Sequence, residues 1–221
     1  MNKTAIILGA TGLTGGILLQ KLERDDRYGT IKLFSRSRIE GLSNKVEQHI
    51  GDVLQLEKFK DHFTADEVYC CIGTTTNKTP DKELYRKIDM GIPVTAAQLS
   101  SQNDIKKFLV ISAMGADRDS RIFYNKTKGE MEQGVLKQEI RYTSILRPSL
   151  IDGDRDEQRT MEKIGIKIFK VLQPLFVGPL KKYKIIKAEE IAQAMINLAN
   201  ASSHAAVIIT SNDIKQLAKK K

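Results

Sequence analysis

The chain has few of the groups that cross-link a protein or hold a metal: two cysteines and three histidines in 221 residues. Cys70 and Cys71 are adjacent on an apolar stretch, with no other cysteine for either to pair with, and read as reduced core thiols. His49, His62 and His204 are scattered, which leaves a zinc site without support and the metal expectation at none. No stretch approaches the ~20 apolar residues that span a bilayer. The N-terminus has no basic segment leading into a signal-type apolar run. These absences predict a soluble, cytoplasmic protein with no membrane partner. The net charge of +9 is spread over the chain without an aromatic-interleaved basic patch, so nucleic acid is not expected either. Part of the excess sits in Lys219 to Lys221. As a solvated surface it still attracts phosphate-rich small molecules at long range.

What the chain does have begins at once. Ala5 to Leu8 is an apolar run, and Gly9-Ala-Thr-Gly12-Leu-Thr-Gly15 follows it directly. A strand that turns sharply into a helix needs residues without a Cβ, for the turn and for close backbone approach to a pyrophosphate. Gly9 and Gly12 meet those needs, and Gly15 lets the helix lie tight on the sheet. The free N–H groups of that helix end, around Thr11, Leu13 and Thr14, then receive phosphate.

Further along, short apolar runs alternate with longer amphipathic stretches, the pattern of a parallel sheet with helices on both faces. Strands are predicted at Ala5 to Leu8, Ile31 to Phe34, Val46 to Ile50, Glu67 to Cys71, Lys107 to Ser112, Thr143 to Arg147 and Ala206 to Thr210. Helices are predicted to begin near Thr14, Val53, Asp81 and Phe123, with others over Ile164 to Leu172, Ala188 to Leu198 and Asp213 to Lys219. Pro93 lacks an N–H and should kink or split the Asp81 helix. The fold class is α/β: a Rossmann-type doubly wound parallel sheet in one domain over residues 1–221. Residues 149–187, including the charged loop Ile151 to Arg159, are expected to add a small substrate-side or lid segment.

Right-handed crossovers put the strand-to-helix loops at one edge of the sheet. After the second strand comes Ser35-Arg36-Ser37-Arg38, where a carboxylate would select a free ribose 2′-hydroxyl. Arg36 offers a planar fork of donors suited to a 2′-phosphate, so NADP is preferred over NAD. Asp52, after the third strand, is placed to accept from an adenine amino group, to cap the helix that starts at Val53, or both. Gly73 and Thr74 follow the fourth strand, Gly73 letting the backbone pass under the cofactor and Thr74 offering a hydroxyl.

The chemical signal lies later. Ser112 closes the fifth strand, Tyr124 follows twelve residues on, and Lys128 stands four beyond it on the same helix face. Reducing a carbonyl needs a hydride and a proton for the developing alkoxide. Tyr124 is read as the acid and Ser112 as the donor to the substrate oxygen. Lys128 is read as the charge that favours the phenolate and as a ligand of the nicotinamide ribose.

Together the loop Gly9 to Gly15, Ser112-Ala-Met-Gly-Ala-Asp117, Tyr124-Asn-Lys-Thr-Lys128 and Leu146-Arg-Pro-Ser149 resemble the short-chain dehydrogenase/reductase superfamily, in its atypical branch. The resemblance implies an NADP-binding Rossmann domain with a Ser-Tyr-Lys catalytic set. It also implies that Pro148 and its neighbours line the nicotinamide pocket. The chain departs from that superfamily at Cys71-Ile72-Gly73-Thr74, where many members carry Asn-Asn-Ala-Gly. The expected activity is hydride transfer to or from a small carbonyl or alcohol substrate. The alternative is an NADP(H)-binding regulator with little turnover. A homodimer through the Phe123 to Leu136 helix is compatible with either.

Overall fold

The computed structural model describes residues 2–152, 184–201 and 207–220. Among them, seven strands form one parallel sheet: β1 (Lys3–Leu8), β2 (Tyr28–Ser35), β3 (Val46–Ile50), β4 (Glu67–Cys70), β5 (Lys107–Ile111), β6 (Tyr142–Arg147) and β9 (Ile208–Thr210). Their spatial order is β3-β2-β1-β4-β5-β6-β9. The chain therefore moves outward from β1 to β3, then crosses back to β4 on the other side of β1. That reversal opens a crevice at the carboxyl ends of β1 and β4, where open α/β sheets bind ligands.

Side chains alternate along each strand, so every strand feeds two cores. Ala5 and Ile7 of β1 join Leu109 of β5 on one face, under α1 (Leu13–Glu23) and α5 (Ala188–Asn200). Ile6 and Leu8 join Phe108 and Val110 on the other. That face is covered by a 3-10 helix (Val53–His62), α3 (Ile92–Gln102) and α4 (Phe123–Leu136). The last helix, α6 (Ser211–Leu217), starts from a Thr210–Asp213 capping box. The doubly wound Rossmann architecture follows from this layering.

Pro93 acts as expected. α2 (Lys82–Arg86) passes into a π turn (Lys87–Gly91) before α3 restarts with Pro93 in its first turn. Pro93 has no N–H to give the carbonyl of Asp89, and the Ile92 N–H reaches back to Lys87 instead. The wider turn rotates Asp89 inward, where it is fully buried.

Some expectations need adjustment. The Val53 helix is 3-10 in character, broken by non-helical backbone at Gln55 (φ −117°, ψ 43°). Ile151–Asp152, read as the start of a charged loop, forms a short strand β7 paired in parallel with β8 (Ile186–Lys187). The helix predicted over Ile164 to Leu172, and the rest of the lid loop, lie outside the described residues.

At the amino edge of the sheet, Glu67 is completely buried. It accepts from Tyr69 Oη at 2.6 Å and from Tyr28 Oη, and Lys3 Nζ stands 3.3 Å away. Asn200 Nδ2 donates to Tyr28 Oη at 2.8 Å and ties the end of α5 to this cluster. Burial and the Glu67 carboxylate push both phenols well above their ordinary pKa, so they stay protonated as donors.

A Cβ on Gly15 would stand 2.1 Å from the carbonyl oxygen of Gly9. Gly15→Ala is therefore expected to destabilise the fold by about 3 kcal/mol, since backbone rather than a flexible side chain must give way. Urea unfolding measures it, and an unchanged midpoint would mean that α1 does not lie as tightly on the β1 turn as described.

Candidate active site

Gly9 leaves β1 with φ +87°, a conformation that favours glycine. A Cβ there would meet the carbonyl group of Cys71 at 2.9 Å, so the first loop lies against the end of β4 with backbone on backbone. Gly12 caps α1, its N–H bonded to the Gly9 carbonyl at 3.0 Å. No side chain caps this helix and no acidic residue occupies its first turn. Its opening N–H groups and their partial positive charge are therefore left for a ligand.

The loop forms one wall of a crevice of about 580 Å³, within the range of small-molecule sites. Eight of the anticipated residues line it: Gly9, Thr11, Gly12, Arg36, Asp52, Val53, Gly73 and Thr74. Phe34, Lys78, Leu84 and Ile92 add lining that the sequence did not single out. Leu13, Thr14 and Gly15 form the first turn of α1 just behind the wall. Arg36 is exposed at the rim, beyond the end of β2. Asp52 lines the crevice and also caps the 3-10 helix, accepting from Leu54 N at 3.0 Å and Gln55 Nε2 at 3.0 Å. These bonds, the Leu54 N–H foremost, lower its pKa, so it is present as the carboxylate acceptor.

Behind Gly73 lies a buried ion pair. Lys128 Nζ stands 2.7 Å from Asp89 Oδ1, with side chains 5% and 1% exposed. The other oxygen of Asp89 accepts from Thr74 N at 2.6 Å. A Cβ on Gly73 would come within 3.6 Å of Asp89 Oδ1 and 3.9 Å of Lys128 Nζ. The bare backbone at Gly73 is thus a window from the crevice to the lysine. Burial opposes the ammonium charge, but Asp89 and, after it, Tyr124 outweigh that effect and raise the Lys128 pKa. Tyr124, one turn earlier on α4, keeps 40% of its surface open. Its phenol is raised in pKa, by burial first; Lys128 opposes the rise and Asp89 adds to it.

Ser112 is 3% exposed, and its hydroxyl donates to Glu132 Oε1 at 2.5 Å. Arg147 grips the same carboxylate with Nε at 2.9 Å and a second nitrogen at 2.5 Å. Pro148 is buried beside this group, and its carbonyl accepts from Met114 N at 3.0 Å. The geometry thus brings Lys128 up behind Gly73 of the crevice with Tyr124 one turn away, while Ser112 and Pro148 are buried and none of the four lines the crevice itself. Asp89 and Glu132 were missed by sequence reasoning. Glu132 had a signal, standing four residues after Lys128 on the Tyr124 face of α4. Asp89 had none, because its inward turn depends on the π geometry.

Among the described residues, no group of three or more histidines, cysteines or carboxylates is arranged to hold a metal. Nor is any helix among them long and apolar enough to cross a membrane.

This architecture, a doubly wound sheet with a glycine-lined crevice at its switch point, defines a nucleotide-binding Rossmann protein. Residues 9–174 match the NAD(P)H-binding family, and the chain belongs to that family within the atypical short-chain dehydrogenase/reductases. It is 31% identical over 172 residues to the protein HTATIP2 of Rattus norvegicus, covering 76% of this chain and 71% of that one. It is 28% identical to the mitochondrial protein FMP52 of Debaryomyces hansenii, over 89% of this chain and 88% of that one. Among solved structures it resembles the Bordetella bronchiseptica enzyme WbmH in complex with NAD+, with a TM-score of 0.71 at 15% identity, covering 99% and 80% of the two chains. The expectation of a cytoplasmic protein is corrected by the FMP52 relatives: their designation as mitochondrial points away from a plain cytoplasmic location. The absence of a signal-type run near Met1 was too weak a basis for that reading, since it bears on secretion and membrane insertion alone.

Glu132→Gln should cost about 2 kcal/mol in urea unfolding. It leaves the Arg147 charge without its partner, an effect moderated because Arg147 is 27% exposed. Stability equal to wild type would show that the pair is not what fixes Ser112.

Proposed function

We propose that this protein is an NADP(H)-dependent oxidoreductase acting on a small carbonyl or alcohol. The observation that carries the reading is the placement of Lys128 Nζ behind the Gly73 window, with Tyr124 one helical turn away on the same face. The cradle fits a dinucleotide in its own terms. Side chains at Gly9 and Gly15 would force its backbone walls apart, the α1 terminus offers uncapped N–H groups, and the crevice has the volume of a ligand site.

Gly9, Thr11, Gly12, Leu13 and Thr14 would hold the pyrophosphate through backbone N–H groups, with Gly15 keeping α1 close. Asp52 and Val53 would face the adenine, and Arg36 a 2′-phosphate. Gly73, Thr74, Lys128 and Pro148 would surround the nicotinamide end. When bound, the nicotinamide supplies or accepts the hydride. Tyr124 exchanges the matching proton with the substrate oxygen, and Lys128 stands one turn from it on the same helix face. Ser112 polarises that oxygen only when its hydroxyl turns away from Glu132, because its single proton is otherwise committed.

Steady-state oxidation of NADPH against a panel of small aldehydes and ketones tests the activity. Tight NADPH binding with every carbonyl inert would favour the regulatory alternative. Tyr124→Phe is expected to lower kcat at least ~100-fold while leaving NADPH affinity nearly intact; unchanged turnover would remove Tyr124 from the acid role. Arg36→Ala is expected to weaken NADPH about tenfold and NADH hardly at all, as loss of a charge-assisted phosphate contact would. Equal losses for both coenzymes, read by titration calorimetry, would contradict 2′-phosphate recognition.

A further inference from the structure

We propose that Asp89 is a positioning residue that cancels the charge of Lys128 beneath the crevice, so that Tyr124 is held as a neutral, proton-carrying phenol over a wider pH range. The site is thereby suited to delivering a proton in carbonyl reduction rather than accepting one in alcohol oxidation. This deepens the functional reading above, because it rests on Tyr124 as the proton-exchanging group.

Asp89 Oδ1 and Lys128 Nζ are 2.7 Å apart and both nearly buried, where a charge interacts strongly and needs compensation. Asp89 cannot swing away, because its second oxygen is held by Thr74 N at 2.6 Å and its backbone by the π turn ahead of Pro93. A lone ammonium one turn from a phenol favours the phenolate. An ammonium bound to a carboxylate presents that phenol with a dipole of zero net charge, and burial is left as the larger influence. The raised pKa of Tyr124 agrees with this arrangement.

Among the described residues, Lys128 and Asp89 are the charges that act on the phenol. Tyr85 approaches from α2, and its own hydroxyl is held protonated by burial and by Asp89. The Cys70 thiol, facing Lys128 from β4, is pushed up to about 12 by burial and stays neutral. On the packed helices, Arg86 pairs with Glu130 at 2.5 Å, Glu132 pairs with Arg147, and Lys82 rests over the Phe123 ring.

The chemistry balances. In reduction, the substrate carbon gains hydride from the reduced nicotinamide and its oxygen gains the Tyr124 proton; the phenolate then recovers a proton from solvent. In oxidation the phenolate must exist first. A phenol kept protonated through neutral pH sustains the first reaction there and confines the second to alkaline solution.

The test is a pH titration of phenolate absorbance in the full chain, with the matching Tyr124→Phe protein subtracted so that only Tyr124 is followed. Asp89→Asn keeps the shape and the bond from Thr74 N, and should move the Tyr124 midpoint down by about one pH unit or more. An unmoved midpoint overturns the proposal. The double variant Asp89→Asn/Lys128→Met removes both charges of the pair and decides the matter even if the single variant fails to fold. Its midpoint should lie near the wild-type value; a rise of about a unit or more would mean that the lysine acted uncompensated, and the proposal fails. The two readings separate cleanly. Carbonyl turnover with an unmoved Asp89→Asn midpoint removes the role of Asp89 alone. A moved midpoint in a protein that reduces no carbonyl removes the activity and leaves the electrostatic pairing.

Discussion

The carboxyl edge of the sheet depends on how closely three stretches of backbone meet at Gly9. The loop leaving β1 lies against the Cys71 carbonyl on one side, and α1 at Gly15 comes down on the other, with no room for a Cβ at either contact. Because β1 and β4 are neighbours, that contact also fixes where β4 releases the chain toward Gly73 and Thr74. Both walls of the crevice are therefore set by a single backbone-to-backbone packing. It is a steric constraint rather than an attractive one, and the apolar burial of Ile6, Leu8, Val68 and Cys70 in the core below supplies the force that holds the segments together.

The two edges of the sheet handle buried polarity differently. At the amino edge, Glu67 sits in a cluster with Tyr28, Tyr69, Lys3 and Asn200, which ties strands to helix. Such a group confers rigidity and needs no access to solvent. At the carboxyl edge, the buried Asp89–Lys128 pair lies next to a glycine window, and Tyr124 beside it is open. Charge is compensated in both places, as burial demands, but only the second leaves a titratable group within reach of a ligand.

Much of this was legible because it rests on local pattern. Strand periodicity located β1 to β6 to within a few residues, since burial on both faces leaves continuous apolar runs such as Ala5 to Leu8. The glycine triplet marked a crevice wall, and the Tyr124–Lys128 spacing marked a shared helix face, because both signals are carried by chain neighbours. Pro93 announced a break in its helix, but not that the break would take π form and turn Asp89 inward. Glu132 and Arg147 are fifteen residues apart in sequence and meet only through the packing of α4 on β6. The engagement of Ser112 with them was therefore not readable from Ser112 itself. Likewise the pairing of Ile151–Asp152 with Ile186–Lys187 is long-range, and a two-residue strand has no periodicity to detect.

The position of α4 is what joins the two halves of the site, and its sequence explains how that position is held. Gly129, immediately after Lys128, has backbone of Asp117 and Arg118 where a Cβ would stand, at 2.3 Å and 2.1 Å, so the loop after β5 is pressed onto the helix. One turn on, Glu132 binds that loop again through Ser112 and binds β6 through Arg147. The π turn in addition presents Asp89 to Lys128. The lysine is thus fixed between a steric stop, a bidentate ion pair one turn away and its own carboxylate partner. Rotation of α4 by a fraction of a turn would break all three contacts together. The separation between Lys128 and the Gly73 window is consequently a property of the packed core rather than of a mobile side chain, as preorganisation of a proton-transfer site requires.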